Sequence, residues 1–135
     1  MNMKIFKYLN AIKENASRIS LGLVFLVFGL NGFFNFFSTP TPPVEAHAFL
    51  GGLAAAPYFF PLLMGAEALC GLLLVLGRYV NLALVALAPI VVNVVLYHVF
   101  LDFSVNSLIL PTVVVLLYTQ LVWKNRDAFS ALAER

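Results

Sequence analysis

The chain has 135 residues, of which 62% are hydrophobic and only 10% are charged, and its mean hydropathy is +0.97. Soluble domains carry about a quarter of charged residues, so this composition excludes an ordinary soluble domain and indicates a protein embedded in the lipid bilayer. The net charge of +2 implies no nucleic-acid partner, because basic residues that flank membrane spans account for it.

The first element is a basic N-terminal segment followed by a long apolar run. Apolar residues recur at helical spacing beside lysines and predict a short amphipathic helix on the inner membrane surface: Ile5, Leu9, Ile12 and Ala16. Residues 19–37 are then long enough to cross ~30 Å of hydrocarbon. A cleaved signal peptide is the alternative, since Ala46-His47-Ala48 resembles a cleavage site, but the apolar run is too long for one.

The second half of the chain continues the membrane pattern. Prolines precede residues 44–56, an apolar stretch too short to span, which predicts an interfacial or re-entrant helix. Three further spans are predicted at residues 58–77, 79–101 and 105–123. None has the alternating period of a membrane β-barrel. The sequence therefore predicts an all-α membrane protein: one domain over residues 1–135, built as a four-transmembrane-helix bundle with an N-terminal amphipathic helix and a short interfacial helix between spans 1 and 2.

The basic residues predict the orientation of this bundle. All eight would lie on one side of the four spans: Lys4, Lys7, Lys13, Arg18, Arg78, Lys124, Arg126 and Arg135. The connections on the other side hold only Glu45 and Asp102 as charged residues. Because positive charge favours the cytoplasmic side, both termini are expected in the cytoplasm.

Polar side chains interrupt three of the spans. At ~1.5 Å per residue they all fall near the midplane or in the outer half of the bilayer, and together they are the candidate ligand pocket: Asn31, Asn35, Glu67, Asn93, Tyr97 and His98. Glu67 is the strongest candidate, because a charged carboxylate facing lipid costs ~2.5 kcal/mol or more, so the group must be neutral, inward-facing or both. The structural alternative is that the asparagines only join helices and that Glu67 hydrogen-bonds one of them.

Other chemistries find little support. Cys70 is the single cysteine, so this chain alone cannot build a dithiol relay. The only two histidines, His47 and His98, are some fifty residues apart and lack metal-ligand spacing, so neither a metal nor a haem is expected. Phosphate-binding loops, nucleophile elbows and dinucleotide fingerprints do not occur.

Three blocks of the sequence resemble small bacterial DoxX-like membrane proteins: "RISLGLVFLVFGLNGFF", "PLLMGAEALCGLLLVLGRY" and "LAPIVVNVVLYHVFLD". The resemblance extends over residues 18–129 and depends on a small set of positions: Arg18, Gly29, Asn31, Glu67, Gly71, Pro89, Asn93 and His98. It implies a four-helix membrane bundle in the bacterial cytoplasmic membrane. That fold is shared by quinone-linked subunits that act on sulfur compounds and by relatives that assist assembly or export of other proteins.

Two functional hypotheses follow, with transport of a small solute as a third. One is a redox-associated subunit that binds a quinone-like or other amphiphilic molecule, with ring carbonyls at His98, Asn93 or Glu67 and the tail against four phenylalanines, Phe33, Phe34, Phe36 and Phe37. The other is a non-catalytic scaffold or chaperone-like assembly factor whose polar layer only specifies helix register. Small residues in the second span also allow contact with a membrane-protein partner or a second copy in a homo-oligomer.

Overall fold

The computed structural model describes residues 2–134, apart from the side chain of residue 14. Within these residues the chain is helical, with six helices: α1 (Met3–Phe34), α2 (Val44–Ala54), α3 (Phe59–Leu76), α4 (Val80–Phe100), α5 (Val105–Lys124) and α6 (Arg126–Ala133). In this part of the chain, α1, α3, α4 and α5 are long and apolar enough to cross a membrane. The predicted all-α, four-span fold is therefore confirmed.

The ends of the spans differ little from the prediction, with one exception. Helices α3, α4 and α5 begin and end within one residue of the predicted bounds. The first span was predicted to reach residue 37, but α1 ends at Phe34, followed by Asn35 in the left-handed region with φ of 50°. Asparagine tolerates this conformation better than other non-glycine residues, which explains why the helix stops among apolar residues.

Helix α1 corrects the expectation of a separate N-terminal amphipathic helix. It runs without interruption over 32 residues, about 48 Å, from an Asn2 cap whose side chain accepts a hydrogen bond from the backbone N–H of Lys4. Residues 3–21 contain neither glycine nor proline, so nothing breaks the helix between the basic segment and the span. The short interfacial helix expected after the first span does form, as α2.

The four long helices form a ring in which α1 and α4 each lie between α3 and α5. The closest contact joins α1 to α3: a Cβ on Gly29 would lie 2.5 Å from the backbone nitrogen of Ala68, and one on Gly71 would overlap the backbone of Leu26. Glycine at both positions lets the two backbones touch. The core within the ring is apolar and includes Leu21, Phe25, Leu74, Leu84, Leu87, Val91, Val114 and Leu121.

Polar contacts join the helices at the end of the bundle that lies near both chain termini. The Arg18 guanidinium on α1 donates a hydrogen bond of 2.6 Å to the carbonyl oxygen of Leu74, in the last turn of α3. That helix ends at Gly77 with φ of 71°, and a Cβ there would lie 2.5 Å from Nη1 of Arg18. Ser17 also donates a hydrogen bond of 3.1 Å to Gln120 of α5. Arg18 thus adds a second donor to a carbonyl that also accepts a hydrogen bond of 3.2 Å from the backbone N–H of Gly77.

Candidate ligand cavity

A cavity of about 390 Å³ lies between α3 and α4 and is bounded by α2. Helix α2 contributes Phe49, Leu50 and Leu53, and α3 contributes an apolar wall that ends at Glu67. Ligand sites are typically apolar with a few converging polar groups, and this cavity has that character. Four of the six predicted pocket residues line it: Glu67, Asn93, Tyr97 and His98.

The α4 wall consists of two parallel rows of side chains. Pro89, Asn93 and Tyr97 form one row and Ile90, Val94 and His98 the other, each with a spacing of four residues. Residues four apart lie on the same face of a helix, so the local sequence of α4 alone brings its three polar groups to one side. The α4 part of the site was therefore predictable from spacing.

Glu67 lies near the middle of α3, half-buried at the edge of the cavity. Within the described chain, Glu67 forms no hydrogen bond. Every fully buried side-chain oxygen or nitrogen in that part of the chain has a hydrogen-bond partner. The carboxyl oxygens of Glu67 therefore keep accessible surface. The polar pattern predicts that Glu67 is joined to Asn93 or His98 either directly or through one water, and the direct hydrogen bond is not formed. Glu67 thus keeps its hydrogen-bonding capacity for a molecule in the cavity.

His98 has one ring nitrogen engaged and one available. Its Nδ1 lies 2.8 Å from the carbonyl oxygen of Val94, which can only accept, so Nδ1 must carry the proton. In the neutral imidazole Nε2 is then an acceptor. The same ring also lines a smaller groove of about 190 Å³ between α4 and α5, whose other lining residues are apolar except for Thr112. His98 therefore forms a wall shared by the two spaces.

Aromatic contacts attach α2 to this site. The rings of Phe49 on α2 and Tyr97 on α4 have centroids 6.1 Å apart, and Tyr97 makes an edge contact with His98 at 5.0 Å. Helix α2 is short and otherwise packs mainly on α3. The ring contact therefore adds a link between α2 and the polar side of α4. Helix α2 therefore lies against the polar residues of α4.

The two α1 asparagines do not line the cavity. Asn31 is buried, with both ends of its carboxamide bonded to the backbone of Phe37 at 3.0 and 3.2 Å. Asn35 is exposed at the end of α1 rather than one helical turn above Asn31. The physical reason is the packing of α1. This helix lies on the face of α3 that carries glycine and alanine, and its Gly32 contacts Met64. Helix α3 therefore separates α1 from the cavity.

The apolar residues of the cavity were not predicted. The four phenylalanines expected to hold an apolar tail, Phe33, Phe34, Phe36 and Phe37, are exposed and lie outside it. The wall is formed instead by Phe49, Leu50, Leu53, Phe59, Phe60, Leu63 and Met64. The available signal was the aromatic pair at the start of α3, about two helical turns before Glu67. No group of three or more potential metal ligands occurs in the described part of the chain.

Comparison with known proteins agrees with the architecture. The DoxX family model matches residues 15–100, which include α2, α3, α4 and most of α1. No curated protein and no solved structure matches the chain. The matched region covers more than half of the sequence and contains every polar residue of the cavity. The chain therefore belongs to the DoxX family.

Proposed function

We propose that the cavity between α3 and α4 binds a quinone-like amphiphile and that the protein is a redox-associated membrane subunit. The observation that carries this proposal is the gathering of Glu67, Asn93, Tyr97 and His98 around one otherwise apolar space. Its volume of about 390 Å³ lies within the range of small-molecule sites.

The donor and acceptor character of the lining favours a molecule with ring oxygens. The Asn93 carboxamide and the Tyr97 hydroxyl can donate hydrogen bonds to a quinone carbonyl. Nε2 of His98 is an acceptor in the tautomer required by Val94, and it suits the hydroxyl of the reduced quinol. A cavity that offers both kinds of partner suits a ligand that exchanges carbonyl for hydroxyl groups. Electrons would come from a partner protein.

Organic extraction of the purified protein tests the proposal directly. We expect a stoichiometric amount of a lipid-soluble ring compound in the extract from wild type, measured by mass spectrometry. Asn93→Ala should lower the retained amount at least several-fold. Asn106→Ala is the matched control, because Asn106 is an exposed asparagine of α5 that does not line the cavity. An empty extract together with a co-purifying membrane protein would favour the assembly-factor hypothesis instead.

We also propose that the protein lies in the bacterial cytoplasmic membrane with both termini in the cytoplasm. The support is the distribution of basic residues along the bundle. Arg18 contacts the last turn of α3, and Arg78 lies two residues after the end of that helix. Lys124 ends α5, one helical turn after Gln120, which binds Ser17. Arg135, which we counted on the same side, lies outside the described residues. This one-sided distribution is the pattern that places a bundle end in the cytoplasm.

A further inference from the structure

Helix α1 carries an apolar seam that no other part of the described chain covers along its first half. Apolar residues follow each other at alternating steps of four and three residues, at Ile5, Leu9, Ile12, Ala16, Ile19 and Leu23. All six are exposed, with exposed fractions of 52% for Ile5, 50% for Leu9 and 64% for Ile12. This spacing is the a and d pattern of a coiled coil.

Lipid cannot cover the first part of this seam. Helix α3 has 18 residues, about 27 Å, which matches the ~30 Å of hydrocarbon, and its last turn is held by Arg18. Residues 3–17 of α1 therefore extend past the inner end of α3 by about 22 Å. Because α1 is continuous, this extension cannot turn aside to lie flat on the membrane surface. Ile5, Leu9 and Ile12 are left in water unless another molecule covers them.

We infer that the seam pairs in parallel with α1 of a second copy of this chain. Two copies inserted in the same orientation necessarily present their α1 helices in parallel. In that arrangement Leu9, Ala16 and Leu23 take a positions and Ile5, Ile12 and Ile19 take d positions. The hydrophobic effect acts on the part in water, and the small Ala16 lets the helices approach where they enter the bilayer.

The charges at the borders of the seam are compatible with this partner. Lys4 and Lys7 take the outer c and f positions, away from the seam. At the flanking positions, Tyr8 of one copy faces Lys13 of the second copy, an attractive cation–π pair, and Asn15 faces Ser20, which can hydrogen-bond. No like charges oppose each other at these flanking positions. Leu at a positions and Ile at d positions favour assemblies of more than two strands. The number of copies in the oligomer therefore follows from its measured mass.

Disulfide cross-linking of the full chain in lipid vesicles tests the pairing. The buried Cys70 is first replaced by Ala, and single cysteines are then introduced as Ile12→Cys in the seam or Lys7→Cys on the opposite side. Under mild oxidation we expect a cross-linked fraction at least fivefold larger for Ile12→Cys. Equal fractions for the two positions would overturn the proposal.

A mass measurement on chains that retain Cys70 provides an independent test. We expect wild type in nanodiscs or mild detergent to be an oligomer, and Leu9→Glu to be monomeric with unchanged helical content. Lys7→Glu makes a larger change in charge outside the seam and should leave the oligomer intact. A monomeric wild type, or an oligomer that survives Leu9→Glu, would show that the seam does not hold two copies together.

Discussion

Asn31 pairs with Phe37 through both ends of its carboxamide: Oδ1 accepts from the Phe37 backbone N–H at 3.0 Å, and Nδ2 donates to the Phe37 carbonyl oxygen at 3.2 Å. The chain reverses between these two residues because α1 ends at Phe34 and Asn35 is left-handed. Asn31 thus satisfies two backbone groups that would otherwise be unpaired at membrane depth. Its polar side chain is explained by the turn and not by the cavity.

The first prediction is that Asn31→Ala destabilises the fold without affecting ligand retention. Loss of both hydrogen bonds leaves the Phe37 N–H and C=O unpaired, which should lower the free energy of unfolding by about 1–3 kcal/mol. Denaturation by sodium dodecyl sulfate, followed by circular dichroism, measures this change. The control is Asn106→Ala, which should be near neutral. A stable Asn31→Ala variant that has lost its ligand would contradict this prediction and show that Asn31 contributes to the binding site.

The second prediction concerns the contact between α1 and α3. Gly71→Ala places a methyl group against the Leu26 backbone, so the helices must separate, at a cost of about 1–3 kcal/mol in the free energy of unfolding. Gly65→Ala in the same helix is the matched control, because nothing lies within 4 Å of its added Cβ. The control should be neutral or slightly stabilising, since alanine favours helix. Equal unfolding midpoints for the two variants would contradict the close packing.

The third prediction is the tautomer of His98. Its contact with the Val94 carbonyl requires the proton on Nδ1, so Nε2 should appear unprotonated in the neutral ring. Nitrogen chemical shifts of selectively labelled histidine distinguish the two tautomers, and the His98→Gln spectrum assigns the signal against His47. Binding of a quinol should shift the Nε2 resonance. A signal from protonated Nε2 with free Nδ1 would be inconsistent with this arrangement and with the proposed acceptor role.

The fourth prediction concerns topology. In a Cys70→Ala background, Thr41→Cys, in the exposed segment after α1, should react with a membrane-impermeant thiol reagent in intact cells. Ala128→Cys, exposed on α6, should react only after the membrane is made permeable. Labelling is read as a mass shift on gels. If Ala128→Cys is labelled first, the orientation is the reverse of the one that we propose.

Much of the pocket on α4 could be predicted from the sequence, but the contribution of α1 could not. Asn93 and Tyr97 are four residues apart on one helix, with His98 beside them, so helical periodicity alone places all three on one side. Asn31 and Asn35 are also four apart, yet the helix ends between them and α3 separates them from the cavity. Periodicity along a single helix gives no information about which neighbouring helix a face meets.

By itself, the sequence determined the four spans, the short helix between the first two and the one-sided distribution of basic residues. Each of these depends on the length of an apolar run or on the positions of charges, which are local properties of the chain. The tertiary structure alone decided that Phe49, Phe59 and Glu67 share a cavity, that Asn31 binds Phe37, and that α1 continues past the bundle with its seam uncovered. These features depend on how closely Gly29 and Gly71 bring α1 to α3, because that contact sets which faces remain for α4, for a ligand and for a second copy.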